Sequence, residues 1–256
     1  LHGETRWAPE QHQQGGLTLA EAVAAVGDGL RQGMAEAASL GTPIVARQLL
    51  TALRHQPPNA ELAALAAAGE PHLVCGFDIA GPEDGFPASL HAATLGYLRD
   101  RWVPITIHAG EAAGTDSIAG ALQQGALRLG HGARLVEDIA GEADEVRLGA
   151  VATWVRDRQI PLELSPSSNL QTGIAATMAD HPFGRLADLG FAVTVNCDNR
   201  LMSRTTMSRE MHLLSEAFGY DVDDLLGFTR NAARGAFLHL DERGDLLDRI
   251  AAASPR

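Results

Sequence analysis

Residues Pro104–Glu111 read PITIHAGE. Four mostly apolar or β-branched residues run into His108, Ala109 and Gly110 turn the chain, and Glu111 follows. A buried strand that ends in an imidazole and a carboxylate predicts two titratable groups at its carboxyl end. That is where sites form in parallel α/β folds.

Outward from this stretch the pattern repeats. Towards the N-terminus, Leu1–Pro9 (LHGETRWAP) predicts a short strand with Glu4 and Arg6 on one face, either a solvated edge or a barrel strand whose polar face lines a site. After the polar turn QHQQGG, Thr18 and Glu21 have capping-box spacing, and Val23, Val26, Leu30 and Met34 continue a helical stripe. A second strand is expected within Thr42–Leu50, a break at Pro57 and Pro58, an alanine-rich helix over Glu61–Ala68, and a strand over Leu73–Ala80. Helix is predicted for Ser89–Leu98.

Past the opening stretch, helix is predicted for Ser117–Gln124 with Asp116 as its cap, and again between Glu142 and Arg158. Strands lead into Gly130-His131-Gly132, from Ile160–Leu164 into SPSSN, and from Phe191–Val195 into Asn196-Cys197-Asp198-Asn199. His181–Leu189 and most of the chain beyond Met207, including Leu225–Leu238, read as helix. Leu170, Ile174 and Met178 fit a core-facing helical stripe better than a contact surface.

The count is seven strands separated by helical segments, with no composition break. Alternation of this kind means parallel strands with helices outside, in one domain over residues 1–256. The predicted fold is α/β, a (β/α)8 TIM-type barrel with seven of its eight strands in this chain, or an open doubly wound sheet. No GxGxxG follows any strand, which counts against a dinucleotide-binding sheet.

The 32 acidic and 20 basic residues give a net charge of −12, which opposes binding to nucleic acid or an anionic membrane surface. Cys75 and Cys197, both in apolar runs, read as reduced thiols of a cytoplasmic protein. There is no secretory pattern and no apolar run of spanning length. No sequence feature sets an oligomeric state.

Five strand ends carry polar groups: Asp78/Gly81, His108/Glu111, His131, Glu163/Ser165 and Asp198/Asn199. In a barrel they share one mouth. Each alone has an ordinary account as a structural histidine, a turn former or a helix cap. Together they suggest nitrogen and oxygen donors to a divalent metal, with His108 and Asp198 the best ligand candidates and Glu111 and His131 left for proton transfer.

The motifs RWAPEQH (Arg6–His12), LLTALRHQP (Leu49–Pro57), GFDIAGPE (Gly76–Glu83), IHAGE (Ile107–Glu111), RLGHG (Arg128–Gly132), LELSPSSNLQTG (Leu162–Gly173) and VTVNCDNRLMSRTTMSRE (Val193–Glu210) span nearly the whole chain. In that order and spacing they resemble the adenosine deaminases, in particular the actinobacterial kind, among the metal-dependent amidohydrolase barrels. The resemblance implies Zn2+ as cofactor and a purine nucleoside as the small-molecule partner. Adenosine and 2′-deoxyadenosine would be deaminated hydrolytically to inosine and 2′-deoxyinosine. It implies that His108 and Asp198 ligate zinc, that Glu111 carries a proton to purine N1, and that His131 orients, stabilises or deprotonates the attacking hydroxide. Asp198 also accepts a hydrogen bond from that hydroxide, and the Gly81 backbone contacts the purine.

Two features depart from the family pattern. Asn199 stands where many members have an aspartate facing purine N7, and its amide can donate to unprotonated N7. No HxH pair, the family's source of two more zinc histidines, occurs in the chain. The chain opens on Leu1 with a strand pattern at once, so it is expected to be an N-terminally truncated piece of a longer protein, with weak zinc binding and little activity of its own. The alternatives are a deaminase of aminodeoxyfutalosine or adenine, or a non-catalytic homologue should the chain be naturally complete.

Overall fold

The computed structural model describes residues 1–69, 73–142 and 145–253. Its strands are β1 (His2–Trp7), β2 (Val45–Leu53), β3 (Val74–Ala80), β4 (Ile105–Ala109), β5 (Arg128–His131), the short β6 (Ile139–Ala140) and β7 (Arg147–Leu148), β8 (Leu162–Leu164) and β9 (Val193–Val195). Seven of them form one parallel sheet in the order β1-β2-β3-β4-β5-β8-β9. β1 and β9 are its two edges and do not pair with each other. The predicted seven parallel strands are present, and the barrel they outline is open.

The helices are α1 (Leu19–Ser39), α2 (Ala60–Ala68), α3 (Ala92–Arg99), α4 (Thr115–Gln123), α5 (Ala150–Asp157), α6 (Pro166–Gln171), α7 (Phe183–Asp188), α8 (Arg200–Ser203), α9 (Met207–Phe218), α10 (Val222–Gly235) and α11 (Leu240–Ala253). The capping box of α1 is formed: the Thr18 hydroxyl accepts from the Glu21 N–H at 3.2 Å and the Glu21 carboxylate accepts from the Thr18 N–H at 2.9 Å. The main core lies between sheet and helices, where Leu50, Phe77, Ile79, Leu95, Leu98, Ile105, Ile107 and Leu129 are inaccessible or nearly so, and Ile174 and Met178 pack against it. Among the described residues no helix is long and apolar enough to cross a membrane.

Two local expectations need correction. α4 starts one turn-step earlier than predicted, with Gly114 as N-cap, so Asp116 lies in its first turn, where its charge still favours the helix start. The helix expected from Glu142 begins only at Ala150. Before it, β6 and β7 pair antiparallel, and residues 143–144 lie outside the described residues. The SPSSN stretch after β8 is the start of α6, with Pro166 in the first helical turn, where its missing N–H costs nothing.

The second face of the sheet explains the charged pair in β1. Glu4 accepts from Arg128 Nη1 at 2.6 Å, and Arg6 Nη2 donates to Glu163 at 2.7 Å. Arg128 Nε lies 2.9 Å from the other Glu163 oxygen, and the Thr106 hydroxyl donates to Glu163 at 2.9 Å. The inner layer is thus an alternating chain of buried ions and not an apolar plug. Each charge is compensated in place, as burial requires. β1 is a barrel strand with a polar inner face, although it is also a sheet edge.

Candidate active site

The parallel register sets the site. His108 of β4 stands opposite Gly130 of β5, and Ala109 opposite His131, so the two imidazoles reach the carboxyl end of the sheet one step apart. Gly130 leaves no room for a side chain: a Cβ there would lie 3.0 Å from the Cα, Cγ and Nδ1 of His108. The rings meet edge to face with centroids 5.2 Å apart. Glu111, carried by the loop after β4, places Oε2 3.4 Å from His131 Nε2.

His108 is held from two sides. Its Nδ1 lies 3.0 Å from Asp78 Oδ1 at the end of β3, and its carbonyl accepts from Arg54 Nη2 at 2.6 Å. Asp78 is fully buried and also accepts from the Thr51 hydroxyl at 3.2 Å. Burial disfavours charge on His108, but the Asp78 carboxylate outweighs it and holds the imidazole pKa above its ordinary value. Nδ1 donates its proton to Asp78, which leaves Nε2 without a hydrogen-bond partner among the described residues.

His131 has the opposite electrostatics. Burial and then the neighbouring His108 push its pKa far down, so the ring is neutral. Its tautomer follows from the hydrogen bonds. Asn169 Oδ1 accepts from the Ser165 N–H at 3.2 Å, which turns the amide Nδ2 towards His131 Nδ1 at 2.9 Å. Nδ1 is then the acceptor, and Nε2–H points at Glu111. The same Asn169 oxygen accepts from His181 Nε2 at 3.2 Å, while His181 Nδ1 accepts from the Phe183 N–H, so the chain of donors and acceptors is consistent throughout. His131 itself sits at φ 64°, a left-handed conformation uncommon outside glycine and characteristic of sites held by their surroundings.

Burial raises the Glu111 carboxyl above its ordinary pKa, against the lowering influence of His108. The loop beneath it is fixed by Glu83, which follows β3. One Glu83 oxygen accepts from the Gly110 N–H at 2.6 Å and the other from the N–H groups of Glu111, Ala112 and Ala113 at 3.0, 2.7 and 3.0 Å. Four successive amides around one carboxylate form an anion nest filled from within the protein.

Asp198 follows β9 at φ 51° and accepts from the Ser168 hydroxyl at 2.7 Å. It is exposed, and it is near enough to act electrostatically on Glu111, His131 and Arg6. Asn199 is also exposed and caps α8, its Oδ1 accepting from the Met202 N–H at 3.2 Å. Gly81 follows β3 at φ 103°, and a Cβ there would meet His55 Nδ1 at 3.2 Å. The structure thus brings His108, His131 and Glu111 into one cluster, sets Asp198 at its rim, and gives Gly81 and Asn199 contacts outside it. Sequence reasoning left Asp78, Glu83, Arg54 and Asn169 without roles. Asp78 was signalled by a charge inside the apolar run LVCGFDIA, whereas the other three had no comparable mark.

The adenosine deaminase family model matches residues 1–253. This chain belongs to the adenosine deaminase family. It is 51% identical over 245 residues to adenosine deaminase 1 of Streptomyces coelicolor, covering 95% of this chain and 62% of that protein. It is 50% identical over 256 residues to an adenosine deaminase of Mycobacterium avium, covering 98% of this chain and 70% of that one. Similar solved structures include an adenine deaminase from Arthrobacter aurescens, with TM-score 0.83 at 22% identity over 98% of this chain and 73% of the other. Another is an amidohydrolase from Burkholderia ambifaria with bound Zn, with TM-score 0.80 at 24% identity over 98% of this chain and 70% of the other. The chain thus spans roughly two thirds of the length of these adenosine deaminase family relatives.

A catalytic zinc in such a family would need about three protein ligands and an open position. His108 Nε2 and the Asp198 carboxylate are the donors of suitable chemistry at this mouth. Among the described residues no group of three or more His, Cys, Asp or Glu side chains is arranged to hold a metal ion. The donors of this member of the adenosine deaminase family do not make a zinc site by themselves.

Proposed function

We propose that this chain serves the hydrolytic deamination of adenosine and 2′-deoxyadenosine, in which water adds at purine C6 and ammonia leaves to give inosine or 2′-deoxyinosine. The observation that carries this reading is the pair Glu111 and His131, a carboxyl raised in pKa by burial and a neutral imidazole whose Nε2–H faces it. Protonated Glu111 gives its proton to ring N1, making C6 electrophilic. His131 donates from Nε2 to the oxygen that adds at C6, which favours the orienting and stabilising role over that of a base. The Gly81 backbone contacts the purine, and the Asn199 amide, with its oxygen engaged in the α8 cap, offers its N–H to N7.

Zn2+ is the cofactor of this reading, with His108 and Asp198 as the donors from this chain. When bound, zinc supplies an activated water. With two donors, the 256-residue chain is expected to hold zinc weakly, and equilibrium dialysis should recover well under one tightly bound ion per chain. The free thiols Cys75 and Cys197 support a reducing, cytoplasmic setting.

The test is ammonia release from adenosine, 2′-deoxyadenosine and adenine by zinc-supplemented protein, compared with Glu111→Gln. Glutamine keeps the shape and removes the proton, so turnover should fall by roughly 10²–10⁴-fold with inosine binding retained. Measurable turnover that is the same for the two proteins would refute the reading.

A further inference from the structure

A well-formed cleft lies away from the mouth. It is a solvent-open cleft of about 420 Å³ at the opposite end of the sheet, where residues just before β5, β8 and β9 meet the C-terminal end of α10 and the side of α11, and Gln159 and Arg234 are exposed at its rim. Arg234 and Arg243 line it, with Gln159, Asn231, Pro161 and Phe237. Its lining contains no Asp or Glu, although the chain carries a net charge of −12. Neither guanidinium has an ion-pair or side-chain hydrogen-bond partner among the described residues, whereas Arg6, Arg47, Arg128 and Arg134 all pair with carboxylates.

The two amides are oriented. Gln159 donates its Nε2 to the carbonyls of Arg156 and Gly190, and Asn231 donates its Nδ2 to the Val193 carbonyl. Their oxygens accept from no donor among the described residues, and both residues line the cleft. Phe237 and Pro161 form an apolar wall, with one face of the Phe237 ring covered by the Arg128 guanidinium at 3.6 Å. Two cationic forks, two neutral acceptors and an apolar wall specify a ligand with a doubly charged oxyanion and hydroxyl donors. A phosphomonoester carries between one and two negative charges at neutral pH, and guanidinium pairs with it bidentately. The volume is that of a small-molecule site.

We propose that this cavity is a binding site for a sugar phosphate, separate from the mouth that holds Glu111 and His131. The phosphate lies between Arg234 and Arg243, and the sugar hydroxyls donate to Gln159 and Asn231. Binding there joins α10 and α11 to the start of β8 and β9, so it stabilises the packing of the C-terminal helices on the sheet.

Isothermal titration calorimetry on the 256-residue protein with ribose 5-phosphate, ribose and inorganic phosphate tests this. One saturable site for ribose 5-phosphate is expected, with ribose and inorganic phosphate each at least about tenfold weaker, since each lacks one half of the recognised chemistry. Arg234→Ala and Arg243→Ala should each weaken ribose 5-phosphate about tenfold or more, the loss expected for a charged hydrogen-bonded pair. Arg243→Glu, which keeps a polar side chain on α11 and reverses the charge, should abolish binding with the thermal melt of the ligand-free protein unchanged. Glu111→Gln, at the other end of the sheet, should leave the affinity as it was. Absence of saturable heat with ribose 5-phosphate, arginine variants that fold and bind as the parent does, or inorganic phosphate binding as tightly as the sugar phosphate would each overturn the proposal.

Discussion

A single buried amide decides how His131 can act. Asn169 is fully buried and its orientation is dictated by the Ser165 N–H, so the His131 tautomer is set two hydrogen bonds away from the ring it controls. Asn169→Ala removes that lock and leaves the Ser165 and His181 donors without their acceptor. The 15N shifts of His131 should change from a pure Nε2–H pattern to a mixture of tautomers, and stability should fall by about 1–3 kcal/mol, the cost of orphaned buried donors. An unchanged pure pattern would show that Glu111, and not Asn169, sets the tautomer. The histidines and Glu111 were legible in the sequence as chemistry-bearing types at strand ends. Asn169 was not, because an amide in SPSSN reads equally as a turn former, and only its partners give it a task.

At the level of elements, the loop after β4 that carries Glu111 is organised from β3. Glu83 accepts from four consecutive amides, 110 to 113, and burial opposes its charge less than those hydrogen bonds favour it, so its pKa is held below the ordinary carboxylate value. Glu83→Ala should release the loop. Hydrogen exchange at those four amides should accelerate together, and the urea midpoint should fall by the equivalent of about 3 kcal/mol, the upper range for hydrogen bonds to a charged group. Exchange that accelerates evenly over the whole protein would mean instead a global loss with no local role. Element existence was well predicted wherever periodicity was long, as in α1 with its capping box, because local pattern and burial agree there. The stretch before α5 was misread as helix since a two-residue ladder, β6 with β7, has too little sequence to show a period.

For the whole molecule, the inner face of the sheet makes stability depend on acid. Burial would raise the Glu163 carboxyl, but the guanidiniums of Arg6 and Arg128 outweigh it and hold it at about 2, below its ordinary 4.5. A carboxyl lowered in the folded state contributes stability that is complete above about 4.5 and disappears as pH falls through about 2. Thermal midpoints should therefore decline steadily between those values, with a few kcal/mol from this group, and Glu163→Gln should flatten that part of the profile while lowering stability at neutral pH. A Gln variant with the same acid slope as the parent would place the titration elsewhere.

The sequence by itself determined the parallel α/β architecture, the count of seven strands in the sheet and the family, because these rest on periodicity, strand-end residue types and ordered motifs that are local or additive along the chain. It also determined that β1 carries charge, but not what the charge meets. Only the tertiary structure decided that Glu4 and Arg6 face Arg128 and Glu163, more than a hundred residues away, that Asp78 orients His108, and that two arginines line a cavity at the far end of the sheet. The physical reason is that a buried charge is stabilised by its neighbours in space. Those neighbours are set by strand register and helix packing, which no short stretch of sequence contains.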